Sequence, residues 1–485
     1  MTVRHPLALS RLRWTGHTPT YAAMRQEPQA SPYRPDPQIE TIADWLGDKV
    51  PPASFPQHIL RWRDNAHAAT VGLAGLSDEA WIAHFGRFEA LEGNLPQPLA
   101  LRYHGHQFRH YNPDLGDGRG FLFAQMRDGA GRLMDLGTKG SGVTPWSRQG
   151  DGRLTLKGAM REILATTMLE ALGANTSKTF SVIETGEHLH RGDEPSPTRS
   201  AVLVRLSHGH IRIGSFQRLM ALEEDAHLAA LVDYALTQYP GPKAPEGAPD
   251  ADNPAVILLH QAVERLADMA ASYVASGFVH GVLNTDNMNI TGESFDYGPW
   301  RWLPAWDASF TAAYFDHNGL YAFGRQSEAI RWNCGQLAVA LRPLAETAPL
   351  VAALDRFEPI FQRRLAQRVL WRLGVQEVGP EEDAAALNVI GRALAASGIS
   401  PDAFFHKHRG GRGLEGGLIA LPGALDHPLW HEDAAPTNHI DEVERIWAAI
   451  DAGDDWQPLH DHTAAIGRLG EALGEVLKPV GHEEG

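Results

Sequence analysis

HGVLNTDNMNITGESFDYGPW, residues 280–300, is the stretch on which the reading of this chain turns. Asp286 and Asn287 stand side by side, and Asp296 follows ten positions after Asp286 in an Asp-Tyr-Gly turn. Carboxylates and a carboxamide at such intervals suit a divalent cation and a phosphate chain, because Mg²⁺ takes hard oxygen ligands. The segments before this stretch decide which scaffold presents them.

Lys139 closes a strand-like run, LMDLGTKG, and Glu162 lies 23 residues later in LKGAMREILATTMLEALG. In that second run Leu156, Met160, Ile163, Leu164 and Met168 recur at helical spacing, and Gly173 stops the pattern. A lysine that orients phosphates needs a carboxylate to hold its flexible stem. Gly158, Ala159 and Ala165 around Glu162 suit a carboxylate pointing into a packed interface. The ordinary alternative is two solvated surface charges.

LGDGRG (residues 115–120) is a Gly-rich turn in which Gly116 and Gly118 would let backbone amides approach phosphate, and Arg119 adds charge. By itself such a turn is common. AVLVRL-SHGH-IRIGSF reads as a hairpin with a four-residue loop, which places Arg205 opposite Arg212. Like charges across a ladder repel, and a triphosphate between them would relieve the repulsion. Two arginines splayed into water, or a different register, would serve the sequence as well.

Strand lysine, helix glutamate, loop asparagine and turn aspartate follow one another in the order used by protein kinases. The expected fold is therefore α+β and two-lobed, protein-kinase-like, with a strand-rich N-lobe, a helical C-lobe and a mainly helical C-terminal extension. The expected divisions are an N-terminal extension over residues 1–95, an N-lobe over 96–220, a C-lobe core over 221–345 and a helical region over 346–485. One element is displaced. A kinase keeps its catalytic aspartate five residues before the asparagine, and Val282 stands there, so Asp286 is the nearby carboxylate left to act as base.

The bulk properties agree with a globular enzyme. Hydrophobic residues make up 43% and charged residues 21% of 485. A net charge of −16 disfavours nucleic acid as a partner. No apolar run approaches the ~20 residues that span a bilayer. Cys334 is the only cysteine, which fits a reducing, cytoplasmic location. The leader MTVRHPLALSRLRWTGHTPTYAAMRQ has four arginines and no acid, yet no apolar signal core, and reads as an irregular N-terminus. Paired histidines at 104/106, 188/190, 406/408 and 460/462 lack a metal-site framework and are expected in turns and on the surface.

The series YHGHQF, LGDGRG, TKGSGVTPWSRQGDGR, MREILATTMLEALG, VRLSHGHIRIGSF, HGVLNTDNMNI and DYGPW closely resembles the selenoprotein O family over roughly residues 100–335. That family has a kinase fold, once taken for a pseudokinase, and transfers AMP from ATP to protein hydroxyls. The resemblance implies that Gly116, Gly118, Arg119, Lys139, Asp151, Gly152, Arg205 and Arg212 contact the nucleotide. It implies that Glu162 pairs with Lys139, that Asp286 accepts the acceptor's proton, and that Asn287 and Asp296 bind Mg²⁺, with Mn²⁺ as an alternative. ATP in this family lies reversed relative to kinases, so the α-phosphate faces the acceptor. The implied partners are proteins bearing Ser, Thr or Tyr hydroxyls, the chain itself included, with no nucleic acid and no membrane. Arg109 replaces the family's usual Gly after GHQF, Trp300 replaces a Phe, and KPVGHEEG lacks the C-terminal thiol or selenol. Two other readings stay open: a conventional phosphotransferase using Asp286, and a non-catalytic nucleotide-binding scaffold.

Overall fold

The computed structural model describes residues 31–192 and 194–474. The leader and the KPVGHEEG segment lie outside these residues.

An antiparallel sheet forms the first half. Its strands are β1 (Gly47–Lys49), β2 (Ile59–Arg63), β3 (Leu99–Leu101), β6 (Leu122–Arg127), β7 (Leu133–Lys139), β8 (Leu154–Thr155), β9 (Lys178–Leu189) and β10 (Thr198–Ser207). A separate hairpin pairs β4 (Gly105–Gln107) with β5 (His110–Asn112). The sheet order is β1-β3-β6-β7-β10-β9-β2, with β8 also on β10. Two strands from before residue 96 thus occupy the edges of the sheet.

Strand alternation sorts the sheet's faces. Val202, Val204 and Leu206 of β10 join Met134 and Leu136 of β7 in a core around Trp81, Phe85, Phe123 and Phe180. Ala201 and Leu203 belong to the opposite core, which surrounds the Leu156–Ala171 helix and continues into the second half. On β7 that opposite face carries Asp135, Gly137 and Lys139, and the register sets Gly137 beside Arg205. The polar residues of the site therefore share one face.

Thr155 caps the Leu156–Ala171 helix by accepting from the Gly158 amide, and Gly173 leaves it at φ 77°. In the second half, Asn253 caps the Pro254–Ser276 helix and Gly277 ends it at φ 67°. This helix is buried nearly all round, its His260, Gln261, Arg265 and Asp268 included. The Phe357–Leu373, Pro380–Ser397, Ile440–Gly453 and Gln457–Leu473 helices follow. The last region returns to the N-lobe, where Asn438 donates to the Leu164 carbonyl at 2.8 Å and Asp454 meets Arg199 at 2.6 Å. No helix among the described residues is long and apolar enough to cross a membrane.

Phe108 and Arg109 link β4 to β5 at φ 49° and 64°, the left-handed conformation a two-residue hairpin turn demands. This explains a usual glycine at position 109. Arg109 is accommodated by Glu328 at 2.9 Å and by the Trp332 ring.

Two of the paired histidines depart from the surface expectation. His104 and His406 are buried, bonded respectively to the Tyr111 hydroxyl and the Leu429 carbonyl.

His67 joins the Asn65–Thr70 helix to the end of the Leu156–Ala171 helix through Asp64 at 2.7 Å and Glu170 at 3.0 Å. Burial opposes its charge, but Glu170 and Asp64 prevail and hold its pKa at about 9. The folded value lies above the unfolded one, so this bridge stabilises fully below about pH 6.5 and fades as pH rises through about 9. Urea unfolding of wild type against His67→Gln should show a difference of roughly 1–2 kcal/mol near neutral pH or below that shrinks under alkaline conditions. A gap that stays constant with pH would contradict it.

Candidate active site

A cleft of about 730 Å³ lies between sheet and helices. Gly116, Gly118, Arg119, Lys139, Asp151, Gly152, Arg205, Arg212, Asp286, Asn287 and Asp296 all line it. Glu162 stands one contact behind, paired with Lys139. Residues separated by 180 positions in sequence thus meet around one space.

Asp296 is the electrostatic centre. It sits at φ 53°, and its carboxylate meets Arg205 Nη1 at 2.9 Å, Arg212 Nη2 at 3.4 Å and Lys139 Nζ at 3.6 Å. Burial alone would raise its pKa, but Arg205, Lys139 and Arg212 hold it well below the usual carboxylate range. Phe295 lies under both guanidinium groups, 5.0 Å from each. In the Asp-Tyr-Gly turn, the Tyr297 hydroxyl is anchored by Thr176 and by the Ser294 carbonyl.

Arg205 and Arg212 do converge, but no hairpin brings them together. β10 already pairs with β8 and β7 along one edge and with β9 along the other, so residues after Ser207 find no free edge. The chain turns at Gly209, φ 93°, and Ile213–Ala221 forms a helix that buries Ile213, Phe216 and Leu219. Arg212 directly precedes it and bridges to Asn289. The two arginines are joined through a shared carboxylate, and Arg212 has a second one in Asp117 at 2.9 Å.

The glycines of LGDGRG meet a packing demand. A Cβ at Gly116 would collide with the Trp146 indole, and one at Gly120 with the Thr138 carbonyl. Asp117 between them accepts from the Leu101 amide at 3.0 Å while holding Arg212. In the second GDGR, Asp151 is gripped by Arg191 at 2.7 and 3.1 Å, and Gly152 takes φ 66°. Asp117, Trp146, Arg148 and Arg191 are not singled out by the sequence. Only Asp117 and Arg148 carry a local signal, as neighbours of the glycines in the two GDGR segments. Among the described residues Arg119 and Arg148 make no ion pair, so they bring uncompensated positive charge to the cleft.

Asp286 sits in a one-turn 3-10 helix, Thr285–Asn287. Among the described residues its Oδ1 is buried without a hydrogen-bond partner, and Gly105 leaves room beside it. Burial pushes its pKa up to about 6, with Arg212 and Arg148 acting against the rise and Asp296 adding to it. Asn287 Nδ2 donates to the Val282 carbonyl at 3.0 Å, tying this loop shut. No group of three His, Cys, Asp or Glu side chains poised for a metal occurs among the described residues. With its Nδ2 bonded to the Val282 carbonyl, Asn287 keeps its amide oxygen for a hard cation, and the Asp296 carboxylate lines the same cleft. The residues fit Mg²⁺.

Residues 32–411 match the family model described as protein adenylyltransferase SelO. The chain belongs to the SelO family. The "Protein nucleotidyltransferase YdiU" of Gloeobacter violaceus is 41% identical over 471 residues, covering 90% of this chain and 94% of its own. That of Synechocystis sp. is 39% identical over 467 residues, covering 88% and 96%. The kinase domain of a Toxoplasma gondii rhoptry antigen aligns over 66% of this chain and 93% of its own, at 12% identity and a TM-score of 0.29, too slight to bear on the fold. The function of the SelO family is adenylyl transfer to protein, the enzyme class expected from the motifs. The match also extends the likeness on both sides of residues 100–335.

Because Arg212 is buried between Asp117 and Asp296, it holds two carboxylates that repel each other. Arg212→Ala should lower nucleotide-free stability by roughly 1–3 kcal/mol, since a buried carboxylate loses its partner. Chemical denaturation measures this. A stabilised variant would instead support repulsion between Arg205 and Arg212 as the dominant effect.

Proposed function

We propose that this chain transfers AMP from ATP to Ser, Thr or Tyr hydroxyls of proteins, itself among them, with Asp286 as general base. The observation behind this reading is that Asp286, one of whose buried oxygens has no partner among the described residues, lines the cleft beside Asn287 while Val282 occupies the usual base position. Lys139, steadied by Glu162, together with Arg205 and Arg212, supplies fixed positive charge for phosphate oxygens. The uncompensated Arg119 and Arg148 add to it. Gly116, Gly118, Asp151 and Gly152 shape the wall on which the nucleotide rests.

Asp286 takes the proton of the acceptor hydroxyl as its oxygen bonds to the α-phosphorus. The bond from that phosphorus to the bridging oxygen breaks, and pyrophosphate leaves. Preorganised charge in the cleft supplies most of the acceleration, so the orientation of the nucleotide determines the product. Asn287 and Asp296 would hold Mg²⁺, which when bound neutralises phosphate charge. The three cations on Asp296 must then loosen, and phosphate oxygens are the anions to receive them.

Two measurements test the reading. With ATP labelled separately at the α- and γ-phosphates, protein should acquire the α label; γ label on protein would establish the kinase alternative, and no label on any protein the scaffold. Asp286→Asn should slow transfer by about 100-fold or more while ATP binding persists. Asp296→Ala should abolish transfer and Asn287→Ala weaken it less, since a carboxylate is the stronger ligand.

A further inference from the structure

Behind Arg205 lies a buried polar chain. Arg205 Nε–H points to His210 Nε2 at 3.3 Å, and His210 Nδ1 lies 3.1 Å from Asp135 Oδ2. The other oxygen of Asp135 accepts from Gln125 Nε2 at 2.7 Å, and Gln125 Oε1 accepts from the Ile39 amide at 2.7 Å. Asp135, Gln125, Arg205 and His210 are all buried. Ser207 Oγ is 3.4 Å from both ring nitrogens, and Phe295 meets the ring edge-on. A Cβ on Gly137 would strike the imidazole, so this glycine, between Asp135 and Lys139 on one strand face, makes the ring's place.

We propose that His210 is a positioning residue for nucleotide binding: Asp135 holds its proton on Nδ1, leaving Nε2 to accept from Arg205 Nε–H and aim the guanidinium at Asp296 and the phosphates. An arginine has five N–H donors in a rigid plane, so fixing Nε sets the direction of both terminal nitrogens. With Nε engaged by His210, Nη1 faces Asp296 at 2.9 Å. Burial lowers the imidazole's pKa; Asp135 acts the other way, and Arg205 and Arg212 add to the lowering. That keeps Nε2 an acceptor. The chain plays for Arg205 the part that Glu162 plays for Lys139, setting a cation's direction from behind.

This rests on Arg205 handling the nucleotide, as in the function proposed above. Three variants of the full chain test it: His210→Gln, His210→Asn and Arg205→Ala. The glutamine side chain carries an acceptor oxygen out to the Nε2 position. The asparagine amide reaches only the Nδ1 position, serving Asp135 but not Arg205. The ATP KM should rise roughly tenfold in His210→Asn, the scale expected for an unsatisfied buried donor, and stay within about threefold of wild type in His210→Gln. Arg205→Ala should weaken ATP binding at least as much as His210→Asn. Melting temperatures of the two histidine variants should be similar, so a difference in KM cannot come from folding. If asparagine and glutamine variants lose affinity equally, or neither does, the positioning role is wrong while Arg205 keeps its own. If Arg205→Ala binds ATP as wild type does, the nucleotide role of Arg205 fails and the His210 proposal with it.

Discussion

The carboxylate of Asp296 carries the charge balance of this molecule. Lys139 arrives from β7, Arg205 from β10 and Arg212 from the turn before the Ile213–Ala221 helix, and all three meet it. Each cation is buried, where an unpaired charge would be severely penalised. The carboxylate belongs to the helical half and two of the cations to the sheet, so the same contacts that neutralise charge also join the halves. Any anion entering here would have to share or replace these contacts, which would couple its binding to the closeness of the two halves.

Around this centre the sheet acts as a positioning device. Alternation along β7 places Asp135, Gly137 and Lys139 on one face, where each meets a separate need. Asp135 anchors His210, Gly137 makes room for its ring, and Lys139 reaches Asp296. The facing helix contributes Glu162 with no exposed surface to spare, and Asn438 from the C-terminal region bonds the same helix at Leu164. Rigidity at the site therefore draws on segments far beyond the motif-bearing part of the chain.

The loop around Asn287 departs from the kinase pattern at one position. Val282 leaves the position five residues before Asn287 without a carboxylate, and its carbonyl instead receives the Asn287 amide. Asp286, one residue before Asn287, keeps an oxygen free beside Gly105. Under the proposed function, a base four positions further along this tight loop would serve a different part of a bound nucleotide.

Much was legible in the sequence because it depended on local rules. The Leu156–Ala171 helix followed from apolar spacing and a glycine stop, and the strand ending at Lys139 from its LMDLGTKG run. The residue types around Asp286, Asn287 and Asp296 pointed to oxygen ligation, and the motif series to an adenylyltransferase family. What failed was pairing. Residues 201–216 look like a hairpin when read alone, but β10 has neighbours on both edges, so the apparent return strand becomes a helix start. Arg191 and the chain from Asp135 through His210 were also invisible, since their partners lie from 5 to 75 residues away. Local propensity and residue chemistry are written along the chain, whereas which cation meets which carboxylate depends on sheet order and close packing, and only the folded structure settles that.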